Sequence, residues 1–109
     1  MEREKIEGDG NVPDRDNPVG TVVVSISGHD RGRVYLVVAS DESFLYLADG
    51  DKRPFARPKK KRRRHTTVLG RIGNSGERID RIRTIRIEAD QSALIRKELT
   101  GFAASHGNP

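Results

Sequence analysis

The chain has 109 residues, which is enough for one small domain with tails and too short for two full domains. Hydrophobic residues make up 33% of it and charged residues 34%, so its apolar core must be small. Because there is no cysteine, disulfides, thiolate metal sites and thiol nucleophiles are excluded, as suits a reducing, cytoplasmic location. No apolar run approaches the roughly 18 residues of a membrane span, and the charged N-terminus lacks the apolar core of a secretion signal.

The positive charge is confined to one segment. The net charge is +5, but residues 52–65 carry nine Lys or Arg and no acidic residue. The rest of the chain has 12 basic and 16 acidic residues, a net charge of −4. Charge concentrated in this way raises the local potential and favours a polyanionic partner.

The first half of the chain predicts an arm followed by a β-meander. Residues 1–18 are polar, with two Gly and two Pro, which predicts a disordered acidic arm. Three apolar or β-branched runs separated by turn-forming residues then predict strands at TVVVSIS (21–27), RVYLVVA (33–39) and FLYLA (44–48). Such closely spaced strands protect their edges best by closing into a small barrel.

The basic stretch RPKKKRRRHTT (57–67) follows the third strand. Pro54 and Pro58 exclude a helix there and restrict any strand to the edge of the sheet. RRRHTTVL (62–69) predicts a fourth strand, whose charged side chains would guard that edge against aggregation. Whether Arg62–Arg64 belong to this strand or to the loop before it stays open at this point.

The remaining chain predicts two helices. GNSG (73–76) predicts a loop in which Ser75 caps a short amphipathic helix containing three isoleucines at three-residue spacing. Alternation over residues 84–88 leaves a strand there as an open alternative. Residues 90–104 predict a second helix that is capped by Asp90 and that Gly101 would end early. Its expected buried face consists of Leu94, Ile95, Leu99 and Phe102, and the last residues are expected to fray.

The stretch GTVVVSISGHDRGRVYLVVA (20–39) resembles a KOW motif, in which an apolar strand, a glycine, a basic residue before a second glycine and another apolar strand follow each other. The more specific part of the resemblance is LADGDKRP (47–54), which leads to the Pro–Lys run at residues 58–61. Across residues 18–69 the chain is similar to small KOW-domain RNA-binding proteins of Gram-positive bacteria, which are related to large-subunit ribosomal proteins of the archaeal and eukaryotic type.

The resemblance implies an SH3-like barrel of four or five strands that binds RNA, often ribosomal RNA. The expected fold class is therefore mainly β, with an acidic arm over residues 1–18, the barrel over residues 19–69 and a partly helical C-terminal extension over residues 70–109. Arg63 and Arg64 depart from the family pattern, since the last strand would carry an apolar residue at their positions.

The basic residues supply the chemistry of phosphate recognition. Clustered Lys and Arg neutralise phosphates and release counterions, which gives salt-sensitive and mostly sequence-independent affinity. Arginines can also bind a phosphate with two parallel hydrogen bonds or stack on a base. The candidate RNA-binding residues are Arg31 and Arg33 in the GHDRGR turn, together with Lys52, Arg53, Arg57, Lys59, Lys60, Lys61, Arg62, Arg63, Arg64 and His65.

Other interpretations of the basic run remain. A charge run can be a solvated loop or a nuclear-localisation signal. KOW barrels also dock on proteins, so a protein-interaction module of a transcription or translation complex is the alternative function. The acidic arm would then fold back over the basic run or recruit a basic partner.

Two further features of the sequence could contact RNA. The aromatic residues Tyr35, Phe44 and Tyr46 would suit base stacking, but their alternation favours a place in the core. RIGNSGERIDRIR (71–83) resembles the Gly-x-x-Gly loop of a KH domain, in which Arg71 and Arg78 would make extra RNA contacts. A capped helix start is the preferred interpretation.

The residues do not indicate an enzyme. The three histidines, His29, His65 and His106, are far apart, so no metal site is expected. The acidic residues are scattered, with no pair suited to acid–base catalysis. We therefore expect a monomeric, cytoplasmic RNA-binding module without a cofactor, whose partners are ribosomal RNA and ribosome or ribonucleoprotein components and not a membrane.

Overall fold

The structure, a computed structural model, describes residues 17–106. Apart from its last two residues, the expected acidic arm lies outside the described residues. The elements in chain order are strands β1 (Thr21–Ser25), β2 (Val34–Ser40), β3 (Phe44–Ala48) and β4 (Lys59–Arg62), a 3₁₀ helix (Arg63–His65), strand β5 (Thr66–Arg71), and helices α1 (Ser75–Thr84) and α2 (Glu88–His106).

The five strands form one antiparallel sheet in the order β4-β3-β2-β1-β5. The three strands predicted for the meander are confirmed, with bounds that shift by at most two residues. Bulges interrupt the β1–β5 ladder after Val22 and the β2–β3 ladder after Val37, and bulges bend a strand and increase its twist. Within residues 17–106 no ladder joins the edge strands β4 and β5, so the sheet is curved but not closed.

The basic run does not form a single last strand. Residues 59–62 form the edge strand β4 directly after Pro58, and the predicted strand over residues 62–69 is wrong in its first half. Arg62 ends β4, whereas Arg63 and Arg64 lie in the 3₁₀ helix between the two edges of the sheet. The turn forms because the Arg63 N–H donates to the Ser43 carbonyl at 3.0 Å, and the Thr66 hydroxyl donates back to the Arg63 carbonyl at 2.8 Å.

Helix α2 is longer than predicted. It begins at Glu88, so that Asp90 lies in its first turn and is not its cap. The Gln91 N–H donates to the Ile87 carbonyl at 3.0 Å, which extends the helical turn upstream. Gly101 does not end the helix, which continues to His106. The alternative strand over residues 84–88 does not form, because α1 occupies its first residue and α2 its last.

One face of the sheet packs against both helices. The helical side chains at its centre are Ile79, Ile82, Ile95 and Phe102, of which the first three are at most 2% exposed. Burying an aliphatic side chain of this size contributes about 1.5 to 3 kcal/mol. The sheet supplies Val22, Leu36, Val38 and Ala48 to the same cluster, while Leu94 and Leu99 of the predicted helix face pack at its margin and are half-buried.

The opposite face of the sheet forms a second core from strand residues alone. Its members, each at most 3% exposed, are Val23, Tyr35, Val37, Leu45 and Leu47. In the described part of the chain, no helix residue belongs to this cluster. The sheet therefore curls over these side chains, which explains why consecutive residues such as Val22 and Val23 are both fully buried.

Helix α2 approaches the sheet at two glycines. Gly50, after β3, has φ +75°, and a Cβ there would overlap the backbone carbonyl of Ser92, while Arg96 donates a hydrogen bond to the Gly50 carbonyl. At Gly70, in β5, an added Cβ would lie 2.8 Å from the ring of Phe102. These contacts place the helix against the strand ends with no room for a side chain.

Replacing Gly50 with Ala should therefore lower the free energy of unfolding by about 2 kcal/mol, since both the backbone conformation and the Ser92 contact disfavour a Cβ. Gly101→Ala is the matched control. Its Cβ would meet no atom of residues 17–106 within 4 Å, and Ala should stabilise the exposed helical position by up to about 1 kcal/mol. Urea unfolding followed by circular dichroism measures both changes. Equal stabilities of Gly50→Ala and the wild type would contradict the close approach.

Candidate nucleic-acid interface

Asp30, in the turn between β1 and β2, connects three strands beside the basic run. Ser25 Oγ and Lys61 Nζ donate to its Oδ1 at 2.8 and 3.1 Å, and Tyr35 Oη donates to its Oδ2 at 2.8 Å. Lys59 Nζ lies 3.8 Å from Oδ2. With only 12% of its side chain exposed, this carboxylate ties β1, β2 and β4 together.

The pKa values in this cluster follow from its contacts. Burial raises the pKa of the Asp30 carboxyl, but hydrogen bonds from Ser25, Tyr35 and Lys61 and the charge of Lys59 outweigh burial, so the pKa lies well below its ordinary value of 3.8. Burial and the hydrogen bond to Asp30 raise the pKa of the Tyr35 hydroxyl well above its ordinary value. At neutral pH Asp30 is an anion and Tyr35 is a neutral donor.

The two faces of β4 carry lysines and an arginine in different roles. Successive side chains of a strand point to opposite faces. Lys59 and Lys61 reach the carboxylate just described, with 28% and 10% of their side chains exposed. Lys60 and Arg62 are exposed on the other face, where Lys60 Nζ and Arg62 Cζ lie 4.4 and 4.8 Å from the centroid of the Phe44 ring. Two cations of β4 are thus structural, and two are presented to solvent over an aromatic ring.

Two other candidate arginines are paired with carboxylates. Arg33 Nη1 lies 3.1 Å from Oδ2 of the buried Asp49, whose Oδ1 accepts hydrogen bonds from two backbone N–H groups of the turn after β3. Arg57 Nη2 lies 3.2 Å from Glu88 Oε2, at the start of α2, and both side chains are more than half exposed. Exposed pairs contribute little to stability, so Arg57 remains available to a partner while Arg33 is held in place.

The two arginines of the 3₁₀ helix differ in their surroundings, since one is bound to the Asp41 carbonyl and the other is exposed to solvent. Arg63 donates to the Asp41 carbonyl through Nη2 at 2.7 Å and through Nε at 3.2 Å. Tyr46 Oη donates to Asp41 Oδ2 at 2.8 Å, and this hydrogen bond lowers the pKa of Asp41 and raises that of Tyr46. Arg64 is exposed to solvent. The anchored Arg63 thereby fixes the position of its neighbour.

The remaining candidates lie in turns and at the end of the 3₁₀ helix. Within residues 17–106, no hydrogen bond or ion pair engages the side chains of Arg31, Lys52, Arg53, Arg64 or His65. Arg31 follows the carboxylate that binds β4, so its turn lies against the basic strand. Lys52 and Arg53 lie instead in the turn that binds Arg33. The structure therefore brings Arg31 together with β4 and groups Lys52 and Arg53 with Arg33.

The sequence did not indicate which acidic residues hold this surface together. Asp30 and Asp49 are ordinary turn residues by their sequence context, and only the strand pairing shows which basic residues they face. The sequence offered one indication of how the basic residues divide. If residues 59–62 form a strand, its successive side chains point to opposite faces. Of the aromatic residues expected in the core, Tyr35 is buried, whereas Phe44 and Tyr46 are half-buried.

The GNSG loop is tied into the domain. Ser75 is the first residue of α1 and not its cap, and its hydroxyl accepts a hydrogen bond from Arg71 Nη1 at 2.6 Å. Asn74, at the cap position, has φ 50° and makes no capping hydrogen bond through its side chain. Arg78 pairs with Glu98 at 2.8 Å. Both arginines that a KH-like loop would use therefore have intramolecular roles.

Residues 17–106 contain no group of three His, Cys, Asp or Glu side chains arranged to hold a metal ion. None of the helices in this part of the chain is both long and apolar enough to cross a membrane.

Asp30→Asn should lower the free energy of unfolding at neutral pH by about 3 kcal/mol, because it leaves Lys59 and Lys61 without a counter-charge in a largely buried site. It should also change the pH dependence. A carboxyl with a lowered folded-state pKa stabilises the fold above its ordinary pKa, and the stabilisation is lost as the pH falls further. Between about pH 5 and pH 2, wild-type stability should therefore fall more steeply than that of the variant.

Urea unfolding at several pH values measures both effects. Asp80→Asn is the matched control, since that carboxylate is 74% exposed in an i,i+3 pair with Arg83 and should contribute less than about 1 kcal/mol. Parallel pH profiles for the wild type and Asp30→Asn would contradict the role assigned to Asp30.

In comparison with known proteins, the sequence matches no protein-family model and no curated protein.

Proposed function

We propose that the protein is a non-enzymatic RNA-binding module that holds structured RNA through its phosphates, and that it works in the cytoplasm with ribosomal RNA or another ribonucleoprotein. The proposal rests on the side chains exposed on one face of β4, opposite the face that carries Lys59 and Lys61. There Lys60 and Arg62 are exposed over the Phe44 ring, and Arg64 follows in the 3₁₀ helix. Exposed cations beside an aromatic ring combine phosphate neutralisation with a surface on which a base can stack.

The arrangement of charges supports this proposal. The contacts with Asp30 place Lys59 and Lys61 on one side of β4, and Lys60 and Arg62 project from the other side. A cation held on a rigid strand loses less conformational entropy on binding than one on a free tail. Arg31 adds positive charge from the turn that contains Asp30, and Arg57 adds to it from the segment before β4.

We also propose that the sheet is an incomplete SH3-like barrel of the KOW type. The chain order favours this, because four meander strands are followed by a 3₁₀ helix and a fifth strand that returns to β1. The curled interior made of strand residues alone fits the same architecture. The resemblance of residues 18–69 to KOW-domain RNA-binding proteins also supports RNA as the proposed ligand.

The triple variant Lys60→Gln, Arg62→Gln and Arg64→Gln tests the proposed surface. It should weaken binding of a fluorescently labelled ribosomal RNA hairpin at least about tenfold at low salt. Three lost phosphate contacts should also reduce the slope of log affinity against log salt by about 2. Fluorescence anisotropy at several salt concentrations measures both, with duplex DNA of equal length as a second ligand.

The matched control removes the same charge elsewhere, by Arg81→Gln, Arg86→Gln and Lys97→Gln on the exposed faces of the helices and their connection. This variant should keep nearly wild-type affinity and salt slope. An equal loss of binding in both variants would show that only net charge matters. Unchanged binding in the β4 variant would overturn the proposed interface.

A further inference from the structure

A groove lies beside the edge strand β5. It has a volume of about 370 Å³, and most of its lining residues are apolar or small, with Arg63 and Arg71 completing the lining. Leu45 of β3 and Val68 of β5 are its large aliphatic side chains. Pro18, just before β1, also lines it.

The side of β5 that faces this groove is uncovered. Val68 pairs with Val23 across the β1–β5 ladder, and directly opposed residues place their side chains on the same face of a sheet. Val23 is fully buried, yet 61% of Val68 is exposed. β5 has a strand partner only on its β1 side within residues 17–106. An apolar edge strand of this kind readily pairs with another extended segment.

The chain itself supplies such a segment next to the groove. Arg71, the last residue of β5, donates from Nη2 to the Asn17 carbonyl at 2.7 Å and from Nη1 to the Val19 carbonyl at 3.0 Å, so the described chain starts beside one end of β5. Sixteen residues precede Asn17. Extended, they would reach about 50 Å, whereas the six residues of β5 span about 20 Å.

The composition of residues 1–16 is complementary to the groove. They contain six acidic and three basic residues, and two of the residues that line the groove, Arg63 and Arg71, are arginines. They also contain Ile6 and Val12, which are β-branched and suited to an added strand. Charge and apolar contact therefore favour the same occupant.

We propose that part of residues 1–16 binds along the open edge of β5 as an added strand and covers Val68 and the groove. This differs from the expected disordered arm. The covered edge would be protected from pairing with other chains. The added strand would also bring acidic residues close to Arg63 and Arg64, so the arm would compete with RNA. That second consequence rests on the proposed function, whereas the docking itself does not.

A nitroxide label tests the docking in the full-length chain. Because the protein has no cysteine, Glu7→Cys creates a single attachment site. Paramagnetic broadening of backbone NMR signals should be strong at Thr66–Arg71 and weak at Lys97 and Thr100, on the exposed side of α2. In Glu7→Cys/Val68→Lys the broadening at β5 should be lost, and the fold should be kept because Val68 is mostly exposed.

Three results would overturn the proposal. Broadening confined to Lys59–Arg64 would mean that the arm is only attracted to the basic run. Weak broadening throughout would mean that it does not dock. Broadening of an unlabelled, isotope-enriched chain mixed with labelled chains would mean that a second copy occupies the edge.

The regulatory consequence is tested separately with Ile6→Ser/Val12→Ser, which keeps the charge of the arm and should raise RNA affinity several-fold at low salt. Failure of every variant to bind RNA would overturn the proposed function and leave the docking result standing. Intact β5 broadening with no change in RNA affinity would retain the docking and reject the competition.

Discussion

The carboxylate of Asp30 is the interaction on which the basic surface depends. It accepts hydrogen bonds from Ser25, Tyr35 and Lys61, and so holds the first turn, the second strand and the edge strand β4 in one arrangement. A chain with nine basic residues in a 14-residue segment would otherwise repel itself. Neutralising part of that charge inside the domain lets a Lys-rich segment pair as a strand, and it leaves the cations of the other face to solvent.

The sheet buries both of its faces, and this explains the rest of the architecture. One face is covered by α1 and α2, which approach closely enough that Gly50 and Gly70 leave no room for a side chain. The other face is covered by the curl of the sheet itself. A small domain with 33% hydrophobic residues gains more buried area from its strands in this way than from a flat sheet. Because the curl stops short of closure, β5 keeps an exposed apolar edge beside the groove.

Much of the fold could be predicted from the local sequence, because strands and helices differ in the short-range periodicity of their apolar residues. FLYLA matched β3 to the residue, and Ile95 and Phe102 were correctly assigned to a buried helix face. The single strand predicted over residues 62–69 was wrong, since the 3₁₀ turn depends on a hydrogen bond to Ser43, some 20 residues away in the chain. The cap predicted at Asp90 was wrong for a related reason. Residue propensities do not show that the hydrogen bond from Gln91 to Ile87 extends the helix to begin before Asp90.

The confinement of positive charge to residues 52–65 can be seen in the amino-acid sequence without coordinates. The turn residues and β-branched runs likewise predicted the meander. Which cations are available depends on the three-dimensional fold, because Lys59 and Lys61 face Asp30, while Lys60 and Arg62 lie over Phe44. Composition records how many charges a segment has. Strand pairing and the pleat decide which side each charge faces, because those depend on residues far away in the chain.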